Sequence, residues 1–461
     1  MRIGSRGAAL LGSGAALAVA MAAMPGLAAD SLEKRRAGMQ QEILKLEQRL
    51  SALEAKRTRE SRERRSIAAA AAVEAGSRRR TWKLPGTNTS MQIGGFAMLE
   101  VVYNINHNGG DAVSSDGNSS GSFPSRGSAA ANKQQHIRLH ARRSRFFIRT
   151  WTPTDYGTLQ TRLEGDFFGG GGNEVVSNSD TLRIRHAYGV LGPVLAGQTY
   201  PLIRFTAFEM WSFQDRGLAG NGNGRQGQLR YTHKFGGGTA LQVSIENPET
   251  SEAIASATYG QPVVVSGGGA PDNYPEIHLA VLHVWSNGQV KVGGVFGQAS
   301  IDDGVASNDK AFVWAAQAAF KLRFNNKRTE FAILGFFGQG MGKYWRGMPA
   351  SLAVTGTNVQ NVAVKPIRHF GGYAWISHKW TDTVSTNIGF GRHDADVEGH
   401  ISKANIPART LDVHWSFLAN IIWRPIRQVR MGFEYHMLRS NFHNANESVV
   451  HRLEFAIRYD F

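Results

Sequence analysis

Residues 138–150 read RLHARRSRFFIRT, and the spacing of charge in this stretch decides the fold. Arg143, Arg145 and Arg149 fall on one parity, and Phe146, Ile148 and Thr150 on the other. Upstream, Arg138, His140 and Arg142 alternate in the same way with Ile137, Leu139 and Ala141. Side chains of a strand point to opposite faces with period two, so the stretch reads as strand with a one-residue slip between Arg142 and Arg143. One such strand fits a soluble sheet equally well, so the rest of the chain has to decide which solvent each face meets.

The chain has 461 residues, no cysteine, 53 glycines, 10 tryptophans and a formal net charge of +16. Disulfides and thiolate metal sites are thereby excluded, and the basic excess points to an acidic partner. Arg2 and Arg6 precede the apolar run AALLGSGAALAVAMAAM and then PGLAAD, a basic region, a short hydrophobic region and a small-residue cleavage site with Gly26 and Ala28. Residues 1–28 are therefore expected to be a signal peptide. An exported basic protein meets little nucleic acid, so that partner is set aside. No later stretch holds 18 consecutive apolar residues, so any membrane crossing has to be made by strands.

Residues 29–66 are charged and nearly free of Gly and Pro. Met39, Ile43, Leu46, Leu50 and Leu53 follow an a/d seam, which predicts a coiled-coil helix. Two clean layers leave the number of helices open, and a single amphipathic helix on a surface is the alternative. Residues 67–89 read as a linker, and 90–461 as one all-β domain. Sixteen segments there alternate apolar and polar residues. They begin near Gln92, Gln135, Thr158, Thr181, Pro193, Gln228, Thr239, Glu276, Gln289, Lys310, Arg328, Ile367, Thr383, Arg409, Arg427 and Val449. Every second connection is a tight turn, among them TPTDYG, LGP, SNGQ and TDT, and those between are long and polar. A soluble sandwich has no reason to sort its loops by parity. A transmembrane barrel of sixteen antiparallel strands, with short periplasmic turns and long extracellular loops, does.

In the last segment Leu453, Phe455, Ile457, Tyr459 and Phe461 share the lipid face. Phe461, terminal and aromatic, resembles the signal by which bacterial outer-membrane barrels reach their assembly machinery. The arginines of 138–150 then face a wet lumen. Carried through neighbouring strands, the inward set is Arg143, Arg145, Arg149, Arg162, Glu164, Asp166, Arg183 and Arg185, followed by Arg230 and Lys234. This reads as an anion-selective wall; the alternative is mutual neutralisation within a polar lumen. Residues 200–226 are too apolar for a surface loop. Folded against the inner wall they would bring Arg204, Glu209, Asp215 and Arg216 near the arginines, whereas a subunit interface would bury them elsewhere. Asp412, His414 and Ser416 share a face, but i and i+2 neighbours stand about 7 Å apart, too far for nucleophile and base, so no catalysis is expected. No GxxxxGK[ST] motif is present, and neither a metal site nor a cofactor is expected.

The stretches RSRFFIRTWTPTDYGTLQTRLEGDFFG and LRIRHAYGVLGPVLAGQTY resemble the DcaP-like porins of the Gram-negative outer membrane; phosphate-selective porins are a related alternative. The resemblance spans the mature chain and is strongest from Arg143 to Thr199. It implies a homotrimer of barrels, helices bundled in the periplasm, and passage of small anionic solutes such as dicarboxylates. Pore-lining roles carry over onto Arg143, Arg145, Arg162, Arg183 and Arg185. A general porin, an outer-membrane hydrolase and a cell-wall tether are the competing functions.

Overall fold

The structure is a computed structural model. It describes residues 29–70, 74–106, 124–129, 131, 136–169, 181–213, 217–248, 253–255, 273–300, 310–346, 350–355 and 363–461. The chain divides into two units, 1–74 and 75–461. Among its described residues the first contains a single helix, Ala29–Ala70, about 63 Å long at 1.5 Å per residue. Alanine is the strongest helix former, and the helix runs on through Ile67–Ala70, past the expected linker boundary. Met39, Ile43, Leu46, Leu50 and Leu53 are each more than half exposed along it. No described helix is long and apolar enough to cross a membrane.

The second unit is a closed barrel of sixteen antiparallel strands. They are β1 (Ser90–Asn104), β2 (His136–His140 with Arg145–Thr154), β3 (Gly157–Asp166), β4 (Arg183–Leu191), β5 (Val194–Thr199), β6 (Gln226–Gly236), β7 (Thr239–Glu246) and β8 (Glu276–Trp285). The second half comprises β9 (Gly288–Ser300), β10 (Lys310–Phe324), β11 (Thr329–Gln339), β12 (Arg368–Lys379), β13 (Val384–Asp396), β14 (Leu411–Trp423), β15 (Val429–Phe442) and β16 (Ser448–Asp460). Each strand pairs with the next, and β16 closes on β1 with Phe96 opposite Asp460 and Asn104 opposite Arg452. The terminal Phe461 continues that seam by exchanging backbone bonds with Gly95, while its ring stays on the outer surface. Closure leaves no unpaired strand edge in hydrocarbon.

The slip inside RLHARRSRFFIRT is a bulge. Glu100 of β1 pairs with His140, and Phe96 with Arg145, so four steps on β1 face five on β2. Ser144 N–H donates to the Ala141 carbonyl across the extra residue. Alternation sets the two faces. Ile93, Leu163, Ile184, Phe312, Ile421 and Leu453 point outward and are exposed, whereas Glu164, Arg185, His414, Ser416 and Glu434 point inward and are buried. Of the paired phenylalanines, Phe146 shares the outward parity, but Phe147 points inward and carries the Arg149 guanidinium over its ring at 4.5 Å.

Much of the lumen holds a hydrophobic core. Leu202, Ile203, Phe205, Phe208, Met210 and Leu218 of the third long loop pack with Met341, Tyr344 and Trp345 of a later one, against Leu334, Phe336, Tyr373 and Trp375 of the wall. An antiparallel bridge between Gly222 and Trp345 joins the two loops. The wall makes room: a Cβ at Gly391 of β13 would lie 2.2 Å from the Ala219 carbonyl oxygen. A peptide segment can therefore lie flat on that strand only because residue 391 has no side chain.

Candidate functional site

The third loop is anchored by polar contacts because a buried backbone group without a partner costs about 1–3 kcal/mol. Leu202 N–H donates to Glu246 at 2.8 Å, Gln317 to the Ile203 carbonyl at 2.9 Å, and Trp375 Nε1 to the Phe208 carbonyl at 2.6 Å. Further along, Ser212 Oγ and Phe213 N–H donate to the two oxygens of Glu434 at 2.7 and 3.0 Å. Ala219 N–H donates to Ser416 Oγ at 2.7 Å. The loop thus fixes itself to β7, β10, β12, β14 and β15, away from the arginine-rich wall of β2, β3 and β4. The serine of the Asp412, His414 and Ser416 set accepts from this loop, and His414 Nδ1 contacts Ser440 at 3.1 Å instead.

On the other wall, five guanidiniums close over three carboxylates. Arg143 donates to Glu100 at 2.5 Å, Arg145 lies 3.3 Å from Glu164, and Arg162 contacts Glu164. Arg183 grips Asp166 with two bonds of 2.9 Å. Arg185 bridges both acids, Nε to Glu164 at 3.1 Å and Nη1 to Asp166 at 2.5 Å. Arg145 stands opposite Asp166 in register yet pairs with Glu164, a diagonal contact of the kind long side chains make between neighbouring strands.

The layering matters more than the count. The Glu164 and Asp166 side chains are 1% exposed, whereas Arg145, Arg162 and Arg183 are 21, 27 and 34% exposed. Carboxylates form the under-layer, and the lumen meets guanidinium edges. The acids and arginines pair, and the more exposed side of each pair is the guanidinium.

Between this wall and the third loop lies a cavity of about 240 Å³. Arg143, Arg145, Arg185 and Arg458 line it from the wall, and Arg204, Glu209 and Trp211 from the loop. Arg204 is forked onto Glu209, Nε at 2.7 Å and Nη2 at 2.9 Å, the bidentate form of a guanidinium–carboxylate pair. Tyr200, at the start of the loop, reports the local potential. Burial raises its phenol, but Arg204, Arg225 and Arg185 outweigh that and hold its pKa below the ordinary value.

Arg143, Arg145 and Arg185 meet Arg204 and Glu209 around this one cavity, an aperture between wall and loop. Arg162, Glu164, Asp166 and Arg183 build the wall behind and beside it. Arg230 is drawn aside, donating to the Tyr200 carbonyl at 2.8 Å, and Lys234 is exposed near the turn after β6, apart from the cluster. Asp215 and Arg216 lie outside the described residues. Arg458 is the charged lining residue not singled out from sequence: it stacks on Phe96 at 3.7 Å, and its inward parity on β16 was its signal.

A closed sixteen-stranded barrel with a lipid-facing apolar exterior and a loop-narrowed polar lumen defines an outer-membrane channel. The family model for the DcaP outer membrane protein matches residues 28–259, half of the chain, and the chain belongs to that family. Among solved structures it is similar to the outer membrane channel DcaP of Acinetobacter baumannii, at 18% identity and a TM-score of 0.67, covering 84% of this chain and 100% of that one. It is also similar to an anion-selective porin from Comamonas acidovorans (12% identity, TM-score 0.52, covering 81% and 100%). OmpF of Salmonella typhi gives 11% identity and a TM-score of 0.51, covering 81% and 98%. At these identities the likeness is one of fold. No curated protein matches the chain in sequence.

Proposed function

We propose that this channel is passive and prefers small anionic solutes such as dicarboxylates. The observation that carries the reading is the layered wall, in which buried Glu164 and Asp166 lie beneath Arg145, Arg162, Arg183 and Arg185. Guanidiniums stay charged at any relevant pH and bind carboxylate or phosphate in a fork, so a solute with either group is recognised without a conformational step. Glu209 is the one acid lining the described part of the cavity, and Arg204 occupies its carboxylate. The related porin from Comamonas acidovorans is anion-selective by its description, which is consistent with this assignment. Liposome swelling tests it. Succinate is expected to enter several-fold faster than a cationic solute of equal size, and equal rates would contradict the preference.

The proposal extends to a homotrimer with the helix in the periplasm and to delivery of the barrel to its assembly machinery through Phe461. The exposed seam of Met39, Ile43, Leu46, Leu50 and Leu53 supports helix association, but so short a seam is weak alone. Barrels already associated in the membrane would raise its effective concentration and complete the bundle. Deleting residues 30–80 is accordingly expected to leave trimers on a native gel, and an isolated 30–80 peptide to be mostly unfolded at micromolar concentration. Monomeric tail-less barrels would reverse the causality.

A further inference from the structure

Around the aperture Arg143, Arg145, Arg162, Arg183 and Arg185 each have a carboxylate partner. Arg149 differs. Among the described residues it makes no side-chain hydrogen bond or ion pair, and its one contact is the Phe147 ring at 4.5 Å. It stands directly opposite Arg162 across β2 and β3, and Arg162 stands directly opposite Tyr188 across β3 and β4. Like charges placed directly opposite each other on neighbouring strands are destabilising, and among the described residues only the Phe147 ring and the more distant Glu164 and Tyr188 act against that cost. Arg162 spends its charge on Glu164, and its guanidinium lies 5.8 Å from the same Phe147 ring. The ring can reach across to β1 because residue 94 is glycine: a Cβ there would sit 2.7 Å from Phe147 Cζ.

The position of this group is fixed by the strand. Arg149 lies four residues beyond Arg145 towards the short turn at Asp155 and Tyr156, and neither Arg149 nor Arg162 lines the aperture cavity. Three inward donors in a row, two guanidiniums and a phenol on adjacent strands about 5 Å apart, suit the oxygens of one carboxylate or phosphate. We propose that Arg149, Arg162 and Tyr188 form a second anion station on the short-turn side of the aperture. It takes a carboxylate- or phosphate-bearing solute after the solute has passed the third loop. Two stations in series let a solute bind well enough to enter and weakly enough to leave. The inference rests on the anion-channel reading above.

The test is current block by succinate in planar bilayers, using the full chain inserted in known orientation and the probe added to one side at a time. Arg149→Gln removes no carboxylate's partner, so the barrel is expected to fold and insert as before. Its apparent dissociation constant for succinate from the short-turn side should rise about fivefold, the loss of one partly screened charge-assisted contact. From the long-loop side it should change less than twofold, and Arg149→Lys should recover at least half of the loss. An equal rise from both sides would place Arg149 in the aperture site and overturn the second station, as would no rise from the short-turn side. Wild-type reversal potential in the same bilayers separates the two readings: if the wild type prefers anions while Arg149→Gln is silent, only the second station falls.

Discussion

Replacing Arg185 with glutamine is expected to be the most damaging single change to the lumen wall. Its side chain is 3% exposed and holds Glu164 and Asp166 together, so the substitution takes from each buried acid its one fully buried guanidinium and leaves Arg145 and Arg162 on Glu164 and Arg183 on Asp166. Breaking a buried ion pair by removing its sole partner costs about 3–5 kcal/mol, and the guanidiniums that remain on both acids make that the upper bound here. The folded, heat-resistant form of Arg185→Gln should therefore be lost at a distinctly lower temperature on a gel. Anion preference should fall as well, since the acids then act on the lumen with one guanidinium fewer above them. Adding Glu164→Gln should recover part of the stability, because removing both partners is far less costly than removing one. A single variant as heat-resistant and as anion-preferring as wild type would show that the layering of acids under arginines has no energetic role.

The second large effect is expected at Phe208. It is fully buried in the core formed by the two inserted loops and the wall, and its carbonyl takes the Trp375 indole proton. Truncation of a buried phenylalanine costs about 3–5 kcal/mol through lost burial and the cavity left behind. Here the cost falls on loop seating, because the strand ladder of the barrel is intact without it. Phe208→Ala should thus keep the barrel's heat resistance while raising single-channel conductance and blurring anion preference, as Arg204 and Glu209 leave the aperture. Unchanged conductance would mean that the loop does not define the narrow point.

The barrel was legible in the sequence because two independent signals agree. Period-two alternation fixes where each strand lies, and each observed strand starts within two residues of its expected position, Gln135 against His136 and Arg427 against Val429 among them. Turn parity then fixes closure. The aperture was legible only in outline. Parity tells which face Arg145 occupies but not which acid it meets, and its long side chain reaches diagonally past Asp166 to Glu164. Nor does parity give depth, so Lys234 shares the inward face of Arg230 yet stands apart from the cluster. The seat of the third loop did leave a trace. Gly389 and Gly391 are alternate inward positions of β13, and Cβ atoms there would meet Leu218 and Ala219. Glycine at successive inward positions marks where another backbone lies against a strand.

On the proposed function, guanidiniums, and not the acids beneath them, set the potential in the lumen. Reversal potential across a planar bilayer with a KCl gradient reads this directly, since the potential of a narrow pore selects between potassium and chloride. The full-length protein is expected to reverse on the chloride side of zero, and to move toward zero at high salt as the wall is screened. Reversal on the potassium side would contradict the account, because it would mean that Glu100, Glu164 and Asp166 outweigh the arginines that cover them.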